Sequence, residues 1–469
     1  MRKFVVRGAC AIAAIAFVVS PALIACSSTE GDRSASFDGG DAGPLDSGAA
    51  DDASADGAVV DAAGEPEDGD FVVPDASVAC ATTPCMTKLA GSADGFCAVT
   101  NDGQVFCWGA NRNGQLGEGP MRLSSPTRVN GITGVTNLGM SQRNTCARVS
   151  DGGVYCWGQS DLLRAGMAPD TQEELPFGNI RTPTRLDAVP PADRISVGDR
   201  FACVTNAGEL TCWGTNDARE LGRGATAPWE MAPPGKATLL THHASEVVAG
   251  TERTFVITTE GAVASWGANR MWGTDNFLIG RDSSEDPNAQ PMLIPGLARV
   301  RSIGTSFWHS CAVVGRFVEC WGANLSGQLG RGTFDRLDYL PGRSMLDDVA
   351  KAEAPDASAG EHDVPVQVVT GLVHTCAVLG SGRVYCWGRA GIYGLLGPDV
   401  DDDLAVGRPT RIDGFGGPVV ALAAANNSMC ALLRSGAVEC WGDNGQGQVG
   451  TGMTDTDPHP VPVRLTFPQ

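Results

Sequence analysis

The sequence predicts an all-β chain that folds as a seven-bladed β-propeller with four strands in each blade. Three observations support this prediction: a recurring Trp-Gly pair, a short alternating apolar run before each pair, and turns rich in Gly, Asn and Asp. The pair recurs at intervals of 49 to 66 residues, a length that suits blades of four strands. The seven tryptophans are Trp108, Trp157, Trp213, Trp266, Trp321, Trp387 and Trp441.

Residues 1–25 predict a bacterial lipoprotein signal peptide. Arg2 and Lys3 precede an apolar stretch that ends in Leu-Ile-Ala-Cys, which resembles the lipobox in which the cysteine, here Cys26, receives a diacylglyceryl group. An ordinary cleaved signal peptide and an uncleaved helical anchor are the alternatives. Ser27 resembles an outer-membrane sorting signal. We therefore expect an exported protein, lipid-anchored in the envelope of a Gram-negative bacterium.

Residues 26–76 form a predicted disordered linker. They contain 14 acidic residues and one basic residue among Gly, Ala, Ser and Pro, a composition too charged to bury a core. The net charge of the whole chain is −20, to which residues 1–25 contribute +3 and the linker −13, leaving −10 for residues 77–469. A domain with this charge is not expected to bind nucleic acid by neutralising phosphates.

Six repeats carry a cysteine directly before the tryptophan and another one nine or ten residues earlier. If the two face each other in a hairpin, a spacing of ten leaves a three-residue loop ending in Gly and a spacing of nine leaves a two-residue loop. Both are common hairpin connections. Opposed side chains on antiparallel strands come within disulfide reach, and export supplies an oxidising compartment. Reduced buried thiols are the alternative. The predicted pairs are Cys97 with Cys107, Cys146 with Cys156, Cys203 with Cys212, Cys311 with Cys320, Cys376 with Cys386, and Cys430 with Cys440.

The fourth repeat lacks both cysteines and has Phe255 and Ser265 in their places, while the loop glycine Gly261 remains. Loss of both partners together is what paired cysteines predict. Cys80 and Cys85 are expected to form a further small disulfide loop, because two cysteines at this spacing without a neighbouring His make a poor zinc site. No metal site and no cofactor is predicted.

Two segments resemble the regulator-of-chromosome-condensation repeat: Gly-x-x-His-x-Cys-Ala at 371–377, and Trp-Gly-x-Asn-x-x-Gly-Gln-Leu-Gly in the repeats with tryptophans 108 and 321. The resemblance runs from about residue 86 to 466, although the second, fourth and sixth repeats depart from it after the Trp-Gly pair. It implies a seven-bladed propeller. In it the tryptophan packs between blades, and the Asn and Gln satisfy backbone groups of a turn.

The C-terminal strand is expected to close the ring. Residues 461–465 have no following repeat, and the first repeat lacks a preceding strand of this Pro-Val-Arg type. We therefore expect residues 461–465 to complete the blade that begins near residues 86–90, which would cover two sheet edges at once.

No motif points to catalysis. The best-known member of the family is a nuclear guanine-nucleotide exchange factor, an activity not expected of an exported chain. The family also includes secreted bacterial propellers that inhibit β-lactamases by covering the enzyme with one face. None of the six histidines has the spacing of a metal site, and no Gly-x-Ser-x-Gly motif is present. His309 and His374 occupy a consensus position of the repeat, which favours a structural role.

Four insertions, at 159–182, 215–245, 268–293 and 331–364, carry aromatic residues outside the repeat consensus. Insertions in repeat proteins collect on one face, which makes that face the expected binding surface. Packing within the propeller is the alternative role for each aromatic residue. The candidate binding residues are Phe177, Trp229, Trp272, Phe277, Trp308, Phe334 and Tyr339.

The predicted function is that of a non-catalytic envelope lipoprotein whose propeller face binds a protein partner, because exposed aromatic side chains among polar loops are typical of binding hot spots. A propeller that binds a glycan or peptidoglycan, and a structural surface scaffold, are the alternatives. Aromatic residues beside Asp or Asn at equivalent points of several blades would favour the glycan. The residues outside the consensus show no such recurrence.

Overall fold

The computed structural model describes residues 77–80, 83–171, 175–223, 231–238, 240–270, 278–335, 337–353, 363–389, 393–398, 400 and 405–468. The predicted signal peptide, the predicted linker and Cys26 lie outside the described residues.

Each repeat forms one antiparallel sheet of four consecutive strands, and the seven sheets are the blades, numbered 1 to 7 in chain order. The first strands of the blades contact one another in a closed cycle, so they surround the central axis. The fourth strands lie at the periphery. This arrangement confirms the predicted all-β, seven-bladed propeller with four-stranded blades.

The innermost strands are β1 (Met86–Ser92), β5 (Val135–Met140), β9 (Arg194–Val197), β13 (Ala244–Ala249), β17 (Val300–Thr305), β21 (Pro365–Thr370) and β25 (Val419–Ala424). The second strands are β2 (Gly95–Thr100), β6 (Asn144–Val149), β10 (Phe201–Asn206), β14 (Arg253–Thr258), β18 (His309–Val314), β22 (His374–Leu379) and β26 (Ser428–Leu433). The third strands are β3 (Val105–Ala110), β7 (Val154–Gln159), β11 (Glu209–Gly214), β15 (Val263–Gly267), β19 (Phe317–Ala323), β23 (Val384–Arg389) and β27 (Val438–Gly442).

The outermost strands are β4 (Arg122–Arg128), β8 (Asn179–Arg185), β12 (Ala232–Lys236), β16 (Asn288–Leu293), β20 (Leu337–Arg343), β24 (Ala405–Ile412) and β28 (His459–Arg464). Two short helices lie between strands: α1 (Ser160–Ala165) follows β7, and α2 (Leu346–Ala352) follows β20.

Every outermost strand contains at least one proline. An edge strand exposes unpaired backbone groups that invite another strand, and proline, which has no N–H, blocks that pairing. The prolines of the outermost strands therefore oppose pairing of these edges with strands of other molecules. These prolines are Pro126, Pro183, Pro233, Pro291, Pro341, Pro409 and Pro460.

The second and third strands form the hairpin that the cysteine spacings predict. Cys97 lies directly opposite Cys107 across a loop whose last residue, Gly103, has a φ of 78°. In the shorter hairpin of blade 3, Cys203 lies opposite Cys212, and Ala207 in the loop has a φ of 49°. One register therefore accounts for both spacings.

The structure joins the cysteines in seven disulfides, and the pairing is the one expected from the sequence. One links Cys80 to Cys85, whose Cα atoms are 5.7 Å apart. The other six link opposed residues of the second and third strands, with Cα atoms 4.0–4.1 Å apart, and make each hairpin a covalently closed loop at the centre of its blade. These six join Cys97 to Cys107, Cys146 to Cys156, Cys203 to Cys212, Cys311 to Cys320, Cys376 to Cys386, and Cys430 to Cys440.

Blade 4 fills the space of the missing disulfide with other side chains. Phe255 is fully buried and packs edge-on against Trp321 of the next blade, with ring centroids 5.8 Å apart. Opposite it, the Ser265 hydroxyl donates to the carbonyl of Ile279 at 2.7 Å and accepts from the Arg281 guanidinium at 3.3 Å. An aromatic ring and a hydrogen-bond network thus replace the covalent link.

The predicted ring closure by the C-terminal strand is wrong. Strand β28 pairs with β27 of its own blade, and β4 already supplies the outer strand of blade 1. No edge is left in blade 1 for a returning strand to complete. The ring closes instead through ordinary packing between blades 7 and 1, backbone hydrogen bonds such as Met86 N to Gly436 O at 3.0 Å, and the Phe467 ring, 5.8 Å from that of Trp108.

The seven tryptophans lie between blades, and all are fully buried, as predicted. In five of them the indole N–H donates to a backbone carbonyl of the preceding blade, as Trp387 does to Gln328 at 2.9 Å. The Gln328 side chain in turn accepts from Ser326 N at 2.9 Å, and Asn324 accepts from Leu329 N at 3.0 Å. The consensus Asn and Gln thus hold the turn that receives the neighbouring tryptophan.

Candidate interaction face

The connections between strands lie at two opposite faces of the propeller. Turns between first and second strands, such as 306–308, and connections between third and fourth strands, such as 111–121, lie at one end of the strands. We call this the insertion face. The hairpin loops, such as 101–103, and the connections between blades, such as 129–134, lie at the other end, which we call the hairpin face.

In three of the four predicted insertions the extra residues fall between third and fourth strands, at 160–178, 215–231 and 268–287, and the described residues of these connections lie on the insertion face. In the fourth, the extra residues lie at 344–364, after β20, and include α2. This connection is on the hairpin face. The expectation that all four insertions share one face is therefore wrong for blade 5, because the spacing of Trp-Gly pairs does not tell which of two connections is longer.

Exposed apolar side chains favour the insertion face. Among the described residues, five of the ten large apolar side chains that are strongly exposed lie in connections between third and fourth strands, and the other five lie on outermost strands. None lies in a described connection of the hairpin face. The five on the insertion face are Met121, Phe177, Leu325, Phe334 and Met453.

Two predicted residues, Phe177 and Phe334, are exposed on this face. Phe177 is 87 % exposed, and the Arg164 guanidinium lies 4.0 Å from its ring centroid. Phe334 is 49 % exposed, and its ring also lies against Gly407 of blade 6, so it partly fills a gap between blades. Tyr339 lies on the outermost strand β20 instead of in a loop.

Three other predicted residues, Trp229, Trp272 and Phe277, lie outside the described residues. Conversely, sequence reasoning missed Met121, Leu325 and Met453. Leu325 sits inside the repeat turn, and the two methionines follow it. An apolar residue at these otherwise polar positions was the available signal.

Trp308 lies at the mouth of the central channel, in the turn between β17 and β18. It is half-buried and packs edge-on against Phe307, with ring centroids 5.1 Å apart. In the equivalent turn of blade 6, Leu372 and Val373 are also half-buried. The mouth is thus apolar in blades 5 and 6, whereas the same turns of blades 2 and 3 carry the Arg143–Asp199 ion pair at 3.3 Å.

A buried arginine of blade 4 donates hydrogen bonds to the turn between β17 and β18 of blade 5. Arg253 is fully buried, and its guanidinium donates to the carbonyls of Ser306 at 3.1 Å and Phe307 at 3.3 Å. Burial lowers the pKa of Arg253 to about 10. The side chain therefore remains a cation and fixes the backbone that presents Trp308.

His309 and His374 are structural, as their consensus position predicts. Both are fully buried. The Thr375 hydroxyl donates to Gln328 O at 2.9 Å, so at 2.7 Å from His309 Nε2 it accepts the imidazole N–H. Burial lowers the pKa of His309 to about 3 and that of His374 to about 4. Both imidazoles are neutral at physiological pH.

Blade 3 has Glu220 where the repeat consensus has Gln. The carboxylate accepts from Ala218 N and from the Thr215 hydroxyl, both at 2.9 Å, so it imitates the turn-closing amide. Burial raises its pKa from 4.5 to about 7. The turn beneath this part of the insertion face therefore holds a carboxyl group that titrates near neutral pH.

Replacing Glu220 by Gln is expected to stabilise the protein at alkaline pH. A pKa raised by folding gives stability that is present below pH 4.5 and is lost as the pH rises through 7. Glu220→Gln removes this loss, which amounts to about 3 kcal/mol above pH 7, and should change little at pH 4. Denaturant unfolding at both pH values measures the difference. An equal effect at the two values would contradict it.

The described residues contain no group of three or more His, Cys, Asp or Glu side chains placed to hold a metal ion. Within the same residues, no helix has the length and apolar character needed to span a membrane. The chemistry that the insertion face does offer is apolar side chains set among polar turns, on a scaffold fixed by buried tryptophans.

Comparison with known proteins identifies the repeat. Models of the regulator of chromosome condensation (RCC1) repeat match residues 102–147, and, in a second form, residues 87–115 and 366–394. The chain is 27% identical over 299 residues to the E3 ubiquitin-protein ligase HERC2 of Mus musculus, which covers 60% of this chain and 6% of HERC2. It is 30% identical over 278 residues to the ultraviolet-B receptor UVR8 of Arabidopsis thaliana, covering 58% of this chain and 57% of the receptor.

A solved structure shares the fold. Yeast RCC1 (Prp20), bound to Kap60, superposes with a TM-score of 0.64 at 19% identity, over 86% of this chain and 90% of Prp20. At this level of identity the likeness concerns the fold alone. The chain spans only part of the curated relatives above, 6% of HERC2 and 57% of UVR8.

Proposed function

We propose that this chain, a seven-bladed β-propeller in which several segments match models of the regulator of chromosome condensation repeat, is a non-catalytic envelope lipoprotein whose insertion face binds a protein partner. The observation that carries the proposal is the position of Met121, Leu325 and Met453. They are exposed apolar side chains within or after the repeat turns, and the turns of Leu325 and Met453 each accept the indole N–H of a tryptophan from the next blade. Rigid apolar anchors lose little conformational entropy on binding.

The channel mouth extends this surface. Phe307 and Trp308 lie in a turn between first and second strands, on the same face as the longer connections. Their half-burial leaves part of each ring accessible, while the buried Arg253 fixes the backbone that carries them. The yeast propeller Prp20, which has the same fold, is bound to the protein Kap60 in its solved structure. A protein that has this fold and binds another protein therefore has a precedent.

The envelope location is part of the proposal. Seven disulfides suit an oxidising compartment outside the cytoplasm. The lipobox-like Leu-Ile-Ala-Cys that ends at Cys26 supplies the anchor, and residues 26–76 supply the tether. Guanine-nucleotide exchange is not proposed, since an exported chain does not meet cytoplasmic GTPases.

The lipid anchor has a direct test. Cells that express the full-length chain and are fed an alkyne-tagged fatty acid should label the protein, and Cys26→Ser should abolish the label. Cys10→Ser, which changes a cysteine inside the signal segment, is the control and should leave labelling intact. An unlabelled wild-type chain would rule out lipidation and favour the ordinary signal peptide or the helical anchor.

The insertion face is tested with matched exposed residues. Leu325→Asp should weaken binding of the partner by about tenfold or more, because it buries a charge in the interface. Val461→Asp, on the outermost strand β28, should leave the affinity unchanged. The full-length protein is used to isolate a binding protein from a solubilised envelope extract, and each variant's affinity for that purified protein is then measured. Equal losses in both variants, or complete displacement of the partner by sugars, would overturn the proposal.

A further inference from the structure

One position on the third strand faces the preceding blade at each junction. It is the residue directly before the cysteine, and in three blades it is aromatic: Phe106, Tyr155 and Tyr385. All three lie in the same register, each opposite an alanine of the second strand. The three junctions can therefore be compared directly, as one site repeated within one chain.

At two of these junctions the protein covers the aromatic ring with its own chain. Phe467, from the C-terminal segment, packs edge-on against Phe106 with ring centroids 5.6 Å apart. The Tyr385 hydroxyl donates to the carboxylate of Glu353, just after α2, at 2.6 Å. In both cases the covering residue belongs to the segment that follows the outermost strand of the preceding blade.

At the junction of blades 1 and 2 the equivalent segment is short and leaves a cavity of about 430 Å³ on the hairpin face. Tyr155 lines it and is half-buried, and its hydroxyl makes no hydrogen bond with any described residue. The buried side chains of Val129, Ile132 and Val149 also line the cavity. The Tyr155 ring and the apolar residues beside it are thus left uncovered, whereas the rings of Phe106 and Tyr385 are covered at their junctions.

The rim of this cavity is polar and carries an unpaired cation. Arg128 ends β4, and it makes no ion pair or hydrogen bond with any other described side chain. At the same register of other outermost strands, Lys236 pairs with Glu209 at 2.8 Å and Arg464 pairs with Glu439 at 3.2 Å, whereas Arg185 of blade 2, like Arg128, has no ion pair with a described residue. Arg464 lies directly across from its partner Glu439, whereas the residue across from Arg128 on β3 is Phe106.

Hydrogen-bonding groups complete the rim. Asn130 lines the cavity and is exposed. Asp151 Oδ1 accepts from Gly153 N at 2.8 Å, which orients the carboxylate and leaves Oδ2 without a described partner. The cavity therefore combines an apolar floor, one aromatic ring, an oriented carboxylate, an amide and an unpaired guanidinium.

We propose that this cavity binds a saccharide unit that carries a carboxylate. The C–H face of a sugar ring suits the apolar floor and the Tyr155 ring, while its hydroxyl groups suit Asn130 and Asp151. The guanidinium of Arg128 matches a carboxylate, to which it can donate two parallel hydrogen bonds. The volume falls within the range of ordinary small-ligand pockets. The site lies on the hairpin face, opposite the proposed protein-binding face.

Titration calorimetry with the full-length protein tests the site. The probes are digalacturonic acid and N-acetylmuramic acid, with their uncharged counterparts digalactose and N-acetylglucosamine. We expect an acidic sugar to bind at least about tenfold more tightly than its counterpart, as a charge-assisted hydrogen bond implies. Preference for one acid over the other distinguishes a uronate polymer from a peptidoglycan-derived sugar as the source.

Two variants assign the binding to this cavity. Arg128→Gln should weaken acidic-sugar binding at least about tenfold and leave neutral sugars unaffected. Lys236→Gln, at the same register in blade 3, should change neither. The proposal is overturned if no probe binds, if acidic and neutral sugars bind alike, or if the two variants behave alike. Because Leu325→Asp probes the opposite face, failure here leaves the protein-partner proposal standing.

Discussion

Refolded from denaturant in excess dithiothreitol, the full-length chain is expected to remain unfolded at physiological temperature, whereas under oxidising conditions it should fold cooperatively. Each of the six hairpin disulfides closes a loop with a sequence separation of 9 or 10. In the chain-entropy model a loop of this size contributes about 2–3 kcal/mol. Six such loops together contribute about 12–18 kcal/mol, which matches or exceeds the whole stability of a typical domain, about 5–15 kcal/mol.

A single pair isolates the effect. Cys376→Ala together with Cys386→Ala should lower the free energy of unfolding by about 2–3 kcal/mol, measured in denaturant under oxidising conditions. In excess dithiothreitol the double variant, like the wild-type chain, is expected to be unfolded, so the substitutions should make no difference there. Equal unfolding midpoints for the oxidised and fully reduced wild-type chain would show that the disulfides do not hold the propeller together.

Acid should unfold the propeller through two buried histidines. The pKa of His309 is lowered to about 3 and that of His374 to about 4 by burial, from 6.5 in the unfolded chain. Stability from a lowered pKa is present above pH 6.5 and is lost as the pH falls through the folded value. Near pH 4 each histidine is then expected to cost about 3 kcal/mol relative to neutral pH. Glu220 has the opposite sign, since its penalty disappears in acid.

Substitution separates these contributions. Replacing both histidines by Gln should flatten the decline of the unfolding free energy between pH 6.5 and pH 4. The matched control, His242→Gln, removes a solvent-exposed histidine and should leave the decline unchanged. If the double variant lost stability with acid as steeply as the wild type, burial of these imidazoles would not be the cause.

The fold was predictable because local rules repeat seven times. The spacing of Cys97 and Cys107, together with Gly103, sets the hairpin register, since only one alignment leaves a favourable turn. Blade 4 supports the same logic, because Phe255 and Ser265 still face each other. The cysteines and the loop glycine of each hairpin lie within about ten residues of one another, and over so short a segment the geometry of the chain determines the strand register.

Features that depend on contacts between blades were harder to predict from the sequence. The expected closure by residues 461–465 was wrong because the repeat pattern does not indicate which blade a terminal strand joins. The lengthened connection of blade 5 was placed on the wrong face for the same reason. Both choices depend on pairing across blades, whereas periodicity reports spacing along the chain.

The candidate sites were only partly visible in the sequence. Phe177 stands out as an aromatic residue within an insertion, but Leu325 and Met453 lie in or beside consensus turns, and their exposure emerges only once the turn is built. The cavity beside Tyr155 depends on what is missing from a neighbouring blade. Arg128 and Asp151 on its rim come from different blades, so no short sequence motif predicts this cavity.

The central claim is that the insertion face binds a protein, and residue-resolved cross-linking mass spectrometry of the full-length chain with its isolated envelope partner tests it most directly. A photoactivatable amino acid is placed at Met121 or Leu325 on the insertion face, and at Thr133 or Asp151 on the hairpin face. We predict partner cross-links from the first two positions and none from the others. Cross-links confined to the hairpin face, or a partner that cross-links at neither face, would contradict the claim.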